Sequence, residues 1–149
     1  MKLALLNGPS LNLLGTREPA RYGTTTLAEV EGRCAAVAAE LGASLTCLQS
    51  NHEGALIDAI HALRGTCDGA LINAGAYSHT SLALRDAFAA VAVPYVEVHL
   101  TNVYAREPER RRSLLAPGAL AVVVGFGAQG YELALRGLVG RLRDGTGRP

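Results

Sequence analysis

No stretch of this sequence is long and apolar enough to span a membrane. Charge of one sign is also lacking. Fourteen Lys and Arg meet 13 Asp and Glu, a formal net charge of +1. That balance gives no electrostatic reason to expect nucleic acid or a membrane surface as partner. Cysteines number three, Cys34, Cys47 and Cys67, and no pair of them has metal-ligand spacing. Free thiols buried in a reducing compartment are the expectation. The four histidines, His52, His61, His79 and His99, form no ligand-spaced pair with each other or with a cysteine. His52 and His61 read as surface or packing residues, and no metal is expected. The run Leu3 to Leu6 stops at Gly8 and Pro9, too short for a signal peptide. A cytoplasmic protein follows. There is no internal repeat, no linker and no second domain. Residues 1–143 are expected to form one catalytic domain, and 144–149, rich in Gly and polar residues, a disordered tail.

What is present is an ordinary globular composition, 49% hydrophobic and 18% charged over 149 residues. Short apolar runs alternate with segments of helical period. Strands are expected at Leu3 to Leu6, Ala43 to Leu48, Ala70 to Ile72, Tyr95 to Leu100 and Leu120 to Val124. Helices are expected at Thr26 to Leu41, Glu53 to Arg64, His79 to Ala90 with Ser78 as cap, and Ala128 to Leu142. Five apolar strands with intervening helices predict an α/β fold. Its sheet is parallel and covered on both faces, in the flavodoxin-like doubly wound order. Ligands of such folds bind beyond the carboxyl ends of the strands.

The residues at those ends are chemically capable. After Asn7-Gly8-Pro9-Ser10 an irregular segment runs to about Thr25 and carries Arg17 and Tyr22. It is longer than a usual connection and has glycines near both ends, as a lid requires; a surface loop with a packed tyrosine is the alternative. The third strand ends at Asn73, followed by His79 near a helix N-terminus, where N–H groups favour anions. His79 read alone is a packing or capping residue. Glu97 and His99 lie two apart on a strand and share a face. A carboxylate beside an imidazole fixes its tautomer and favours its protonated form, the equipment of a general acid. Arg106 and Arg110, four apart, are able to grip a carboxylate or hydroxyl groups together. Arg111 and Arg112 read as solvated. Gly125-Phe126-Gly127-Ala128-Gln129-Gly130 matches a dinucleotide fingerprint. No strand follows its helix, however, and the acidic residue due about twenty residues on is missing. Tight strand-to-helix packing is the preferred reading of that turn, with a nucleotide- or flavin-binding module as the alternative.

Taken together these segments resemble the type II 3-dehydroquinate dehydratase family. The matching stretches begin with Asn7 to Gly15, Arg17-Glu18-Pro19, Tyr22-Gly23, Gln49-Ser50-Asn51 and Glu53-Gly54. They continue with Leu71 to Ser81, Ala83 to Asp86, Glu97-Val98-His99, Thr101-Asn102-Val103, Ala105-Arg106-Glu107 and Gly125 to Tyr131. They cover nearly the whole chain in order. The resemblance implies a cofactor-free lyase that eliminates water anti from 3-dehydroquinate, through an enolate, to give 3-dehydroshikimate. The setting is either the shikimate pathway or quinate catabolism. It assigns Tyr22 as base, Arg17 as the cation beside it, and His99 as general acid, oriented by Glu97 and aided by Asn73. A free tyrosine has a pKa near ~10 and stays protonated at neutral pH unless a cation favours the phenolate. Substrate contacts carry over to Asn73, His79, the backbone of Leu100 and Thr101, and Arg110. Ser10 and Arg106 join the candidate binding residues. Asp86 matches a residue that reaches a neighbouring subunit's site, and the family forms dodecamers of four trimers. Ser10 departs from the family's asparagine, which helps hold an ordered water near the enolate, and Glu109 departs from a common aromatic. Ser10 therefore keeps two further readings open: an enzyme for an amino analogue of dehydroquinate, and a non-catalytic ligand-binding paralogue.

Overall fold

The computed structural model describes residues 1–145. Five strands, β1 (Lys2–Asn7), β2 (Ser44–Gln49), β3 (Gly69–Asn73), β4 (Tyr95–His99) and β5 (Ala121–Val124), form one parallel sheet in the order β2-β1-β3-β4-β5. This is the flavodoxin-like order, and the winding reverses between β1 and β3. The helices are α1 (Pro19–Tyr22), α2 (Leu27–Glu40), α3 (Glu53–Ala62), α4 (Tyr77–Thr80), α5 (Leu82–Val91) and α6 (Gln129–Arg143).

Strand alternation splits the core in two. Leu3, Leu5, Leu71, Val96 and Val98 face α2 and α6, meeting Val30, Cys34, Val37, Leu135 and Leu138. Ala4, Leu6, Ala70, Ile72 and Tyr95 face α3 and α5, meeting Leu56, Ile60, Leu84 and Phe88. The central strands β3 and β4 are buried at every position, as a sheet covered on both faces requires. The two edge strands depart from the expectation of full cover. β2 alternates exposed and half-buried residues, and in β5 Ala121 and Val122 are exposed.

Helix starts follow local chemistry. Thr26 caps α2 in a capping box: Glu29 N donates to its hydroxyl at 3.3 Å, and its own N donates to Glu29 Oε2 at 2.7 Å. The expected helix from His79 capped by Ser78 is corrected. Ser81 is extended (φ −97°, ψ 98°), breaks the helix in two, and accepts from Leu84 N at 3.0 Å as the cap of α5. The Ser78 side chain is instead buried without a partner. At the far end, Asp144 and Gly145 close the last turn of α6. Residues 146–149, most of the expected tail, lie outside the described residues. Among the described residues no helix is long and apolar enough to cross a membrane.

Candidate active site

The carboxyl ends of β1, β3 and β4 deliver the site. Asn7 and Asn73 are register partners on adjacent strands. By alternation with Leu5 and Leu71 they face α6. There the Tyr131 hydroxyl accepts from Asn73 Nδ2 at 2.7 Å and donates to Asn7 Oδ1 at 2.9 Å. Burial pushes the Tyr131 hydroxyl far above its ordinary range, so it stays neutral and serves both bonds. Asn73 Oδ1 also accepts from Gly75 N at 3.1 Å. One amide hydrogen of Asn73 is left for the pocket.

Glu97 and His99 take the opposite face with Tyr95, towards α5. Glu97 is fully buried, and its Oε1 lies 2.7 Å from His99 Nε2. The second partner of this carboxylate is Ser113, whose hydroxyl lies 2.7 and 2.9 Å from its two oxygens. His79, on α4, stacks its ring 6.1 Å from that of His99 at an interplanar angle of 17°. Its Nδ1 is 2.8 Å from the carbonyl of Arg112. A carbonyl only accepts, so Nδ1 carries the hydrogen and Nε2 is left for the pocket.

The segment between β1 and α2 folds over these ends. Its glycines Gly15 (φ 92°) and Gly23 (φ 78°) both adopt left-handed backbone, and Tyr22 ends the single turn α1. Two guanidinium groups reach the Tyr22 ring. Arg17 lies over its face, 5.1 Å from the centroid. The direct contact with the phenolic oxygen belongs to Arg106, whose Nη1 donates to it at 3.0 Å. The resemblance sets Arg17 alone beside Tyr22, and the sequence offers Arg106 only as a substrate contact; the structure adds Arg106 to the Tyr22 oxygen. Glu107 ties Arg106 (3.5 Å) to Arg110 (2.6 Å) and so spaces the clamp. Its own backbone N–H and then Arg110 hold its carboxyl down at about 2. Glu109, which stands in place of the family's common aromatic, makes no ion pair among the described residues.

One pocket is lined by Ser10, Arg17, Tyr22, Asn73, His79, His99, Leu100, Thr101, Arg106 and Arg110. Glu97 stands behind His99, outside the lining. Asp86 is not in this pocket. It sits exposed on α5, with Arg85 at 3.7 Å. Ser10 enters through a strained turn at φ 66° and its N donates to Asn51 Oδ1 at 2.9 Å. Gln49 braces the same turn, donating to Gly8 O and Asn51 Oδ1, both at 3.1 Å.

The glycine-rich turn is accounted for by packing. Gly125 N and Gly127 N donate to the carbonyls of His99 and Leu100 at 3.3 and 2.9 Å. They are therefore spent on the end of β4 and cannot cradle a phosphate. A Cβ on Gly130 would touch Val123 and Val98, so α6 lies close against the sheet. Among the described residues no group of three or more His, Cys, Asp or Glu has the arrangement of a metal site. Cys34 and Cys47 are free thiols that burial pushes up to about 12 and about 11.

Sequence reasoning missed Ser113 and Tyr131 as parts of this site. Ser113 sits in a stretch without periodicity and has no local signal. Tyr131 offered one: a tyrosine early in a core-facing helix needs a partner for its hydroxyl.

A doubly wound sheet with an imidazole–carboxylate pair, a tyrosine and three arginines over its carboxyl edge defines an acid–base enzyme for a small anionic molecule. The family model described as Dehydroquinase class II matches residues 1–139. The chain is 60% identical over 139 residues to the 3-dehydroquinate dehydratase of Gemmatimonas aurantiaca, covering 93% of this chain and 91% of that one. It is 55% identical over 146 residues to the enzyme of the same name from Jannaschia sp., covering 98% and 99%. Its structure matches the crystal structure of type II dehydroquinase from Butyrivibrio crossotus at a TM-score of 0.90 and 40% identity, over 93% of this chain and 97% of that one. The chain belongs to the class II dehydroquinase family.

Proposed function

We propose that this protein is a hydro-lyase that converts 3-dehydroquinate to 3-dehydroshikimate by anti elimination through an enolate. Family membership supports the reaction. The observation that carries the mechanism is the meeting of Tyr22 and His99, from separate elements, in one pocket lined with arginines.

Tyr22, as phenolate, takes the proton alpha to the ketone. Arg106 on its oxygen and Arg17 over its ring offset the charge that oxygen carries. Removing that proton leaves an enolate, which needs donors already in place. Ser10 lines the pocket where the family's asparagine would stand. Its hydroxyl offers one donor against two from an asparagine amide. His99 then protonates the departing hydroxyl, with Asn73 beside it. Arg110 and His79, with the backbone at Leu100 and Thr101, hold the rest of the substrate. Every group in these steps is a side chain or backbone group of the protein, and no cofactor takes part.

The enzyme works as an oligomer, a dodecamer of four trimers, with Asp86 serving a neighbour's site. Two observations support this reading. Asp86 is exposed and outside its own pocket. Apolar side chains, among them Val122, Tyr104 and Phe126, are exposed. Three unpaired cysteines suit a reducing cytoplasm.

The test is direct. Purified protein is mixed with 3-dehydroquinate and the ultraviolet absorbance of the conjugated product is followed. Wild type turns over, and Tyr22→Phe loses at least about 100-fold with its circular dichroism unchanged. Near-normal turnover in Tyr22→Phe removes it as the base. A silent wild type removes the reading itself. Ser10→Asn and the amino analogue then tell a weakened enolate site from a different substrate, and silence in both points to a non-catalytic paralogue.

A further inference from the structure

Ser113 makes four hydrogen-bond contacts through one oxygen. Leu115 N and Ala116 N both donate to it, at 3.0 and 3.1 Å. Two acceptor lone pairs are then spent, so the hydroxyl can accept nothing more. Its single hydrogen must point at Glu97, whose two oxygens lie 2.7 and 2.9 Å away. Neither Glu97 oxygen can donate to Ser113 in return. The fully buried carboxylate is thereby held as an acceptor. His99 Nε2, 2.7 Å from Oε1, becomes the donor of that pair. The other ring nitrogen, Nδ1, is the one left for the pocket.

The neighbouring residues act in the same sense. Arg112 O fixes the ring of His79, which stacks on His99, and Leu114 N donates to Ser78 O at 2.8 Å, tying this stretch to α4. Residues 112–114 therefore bear on both histidines, on His79 through the Arg112 carbonyl and on His99 through the Ser113 hydroxyl and Glu97. The other titratable and charged groups near the pair are Tyr95 on the same strand, Tyr22 and Arg17 on the lid, and Arg106 and Arg110. Among the described residues, none of these hydrogen-bonds to the Glu97 carboxylate, which Ser113 and His99 share.

We propose that Ser113 is a positioning residue for the acid step: its hydroxyl locks Glu97, Glu97 locks the tautomer and tilt of His99, and Nδ1 of His99 delivers the proton. The inference rests on the reading of His99 as general acid. In that step His99 acts as imidazolium: its Nδ1–H bond breaks, the proton joins the departing hydroxyl oxygen, and the neutral ring is left with its hydrogen on Nε2, facing Glu97. The C–O bond breaks with its electron pair leaving on that oxygen, as water. The enolate pair forms the new C=C bond and the ketone returns. Solvent later reprotonates Nδ1 and takes the proton held by Tyr22. Proton abstraction by Tyr22 does not involve Ser113.

That separation sets the experiment. Wild type, Ser113→Ala and Ser113→Thr are assayed for turnover of 3-dehydroquinate. By proton NMR in D2O, loss of the substrate's alpha hydrogen to solvent is followed in parallel. Ser113→Ala is expected to lower kcat by about 10- to 100-fold with KM little changed. Alpha-hydrogen exchange continues, because the enolate still forms and returns. Ser113→Thr, which keeps the hydroxyl, is expected to retain most of the wild-type kcat. The proposal is overturned by an alanine variant within twofold of wild type, by exchange and turnover falling together, or by a threonine variant as impaired as alanine. A second readout needs no turnover. In 15N-labelled free enzyme the His99 ring is expected to carry a slowly exchanging Nε2–H in wild type and Ser113→Thr, and to lose it in Ser113→Ala. An unchanged Nε2–H in the alanine variant overturns the proposal even if wild type proves silent towards 3-dehydroquinate, an outcome that would by itself fell only the functional reading.

Discussion

Asn73 and Tyr22 show how much of the chemistry rests on hydrogen bonds that no local pattern displays. The amide of Asn73 is useful only if it faces one way. Its oxygen takes Gly75 N and one N–H is spent on Tyr131, so the other N–H is fixed towards the pocket. Tyr131→Phe keeps the ring and removes the hydroxyl. It strands Asn7 Oδ1 and one Asn73 N–H in a buried space, at a cost of about 1–3 kcal/mol. We expect a lower denaturant midpoint by that amount and a several-fold fall in kcat as the amide loses its orientation. Unaltered stability would mean that the Tyr131 hydroxyl is not buried against these two groups. At Tyr22 two cations meet one side chain. Arg17 addresses the ring face and Arg106 the oxygen, and only the second requires residues 84 apart in sequence to meet.

At the scale of elements, the site depends on close approach between two turns. Gly8 follows β1 and lies against the turn that follows β3. A Cβ there would stand 2.5 Å from Ala74 O and 2.6 Å from its carbonyl carbon, both backbone atoms that have little freedom to yield. Gly8 N also donates to Asn73 O at 2.8 Å. Gly8→Ala is therefore expected to destabilise the fold by about 3 kcal/mol, read from the denaturant midpoint. Gly23, at the other end of the lid, has open space around it and only its left-handed backbone to protect. Its alanine variant should lose about 1 kcal/mol. Equal losses at the two glycines would remove steric approach as the reason for Gly8.

At the scale of the whole molecule, one residue named for the site has no place in the pocket of its own chain. Asp86 is exposed on α5. If it completes a neighbour's site, Tyr22→Phe and Asp86→Ala each disable a different contribution, and a mixed oligomer holds some sites with both intact. Co-assembled variants in equal amounts are expected to regain up to about a quarter of wild-type turnover, since a working site needs one protomer of each kind. Mixing without any recovery would place the Asp86 effect within a single chain. The exposed apolar residues of β5 belong to the same question. An edge strand reading AVVV is an aggregation liability unless another surface covers it.

Periodicity and end-signals determined the sheet, its helices and the strand ends at which Asn73, Glu97 and His99 sit, because a buried strand must read apolar and a helix must show one apolar stripe. The same local rules led the helix beginning near Ser78 astray. Ser78 and Ser81 are equally good caps by type, and only the extended backbone at Ser81 distinguishes them. The order of motifs along the chain determined the family. Tertiary structure alone decided which cation touches the Tyr22 oxygen, which carboxylate ties Arg106 to Arg110, that the glycine-rich turn spends its N–H groups on β4, and that Ser113 and Tyr131 bond to Glu97 and Asn73. Each of these is a hydrogen bond or ion pair whose partners are set by where loops come to rest. Loop residues carry no period from which that resting place can be read, and the energy that fixes it comes from the burial of polar groups that must find partners once water is gone.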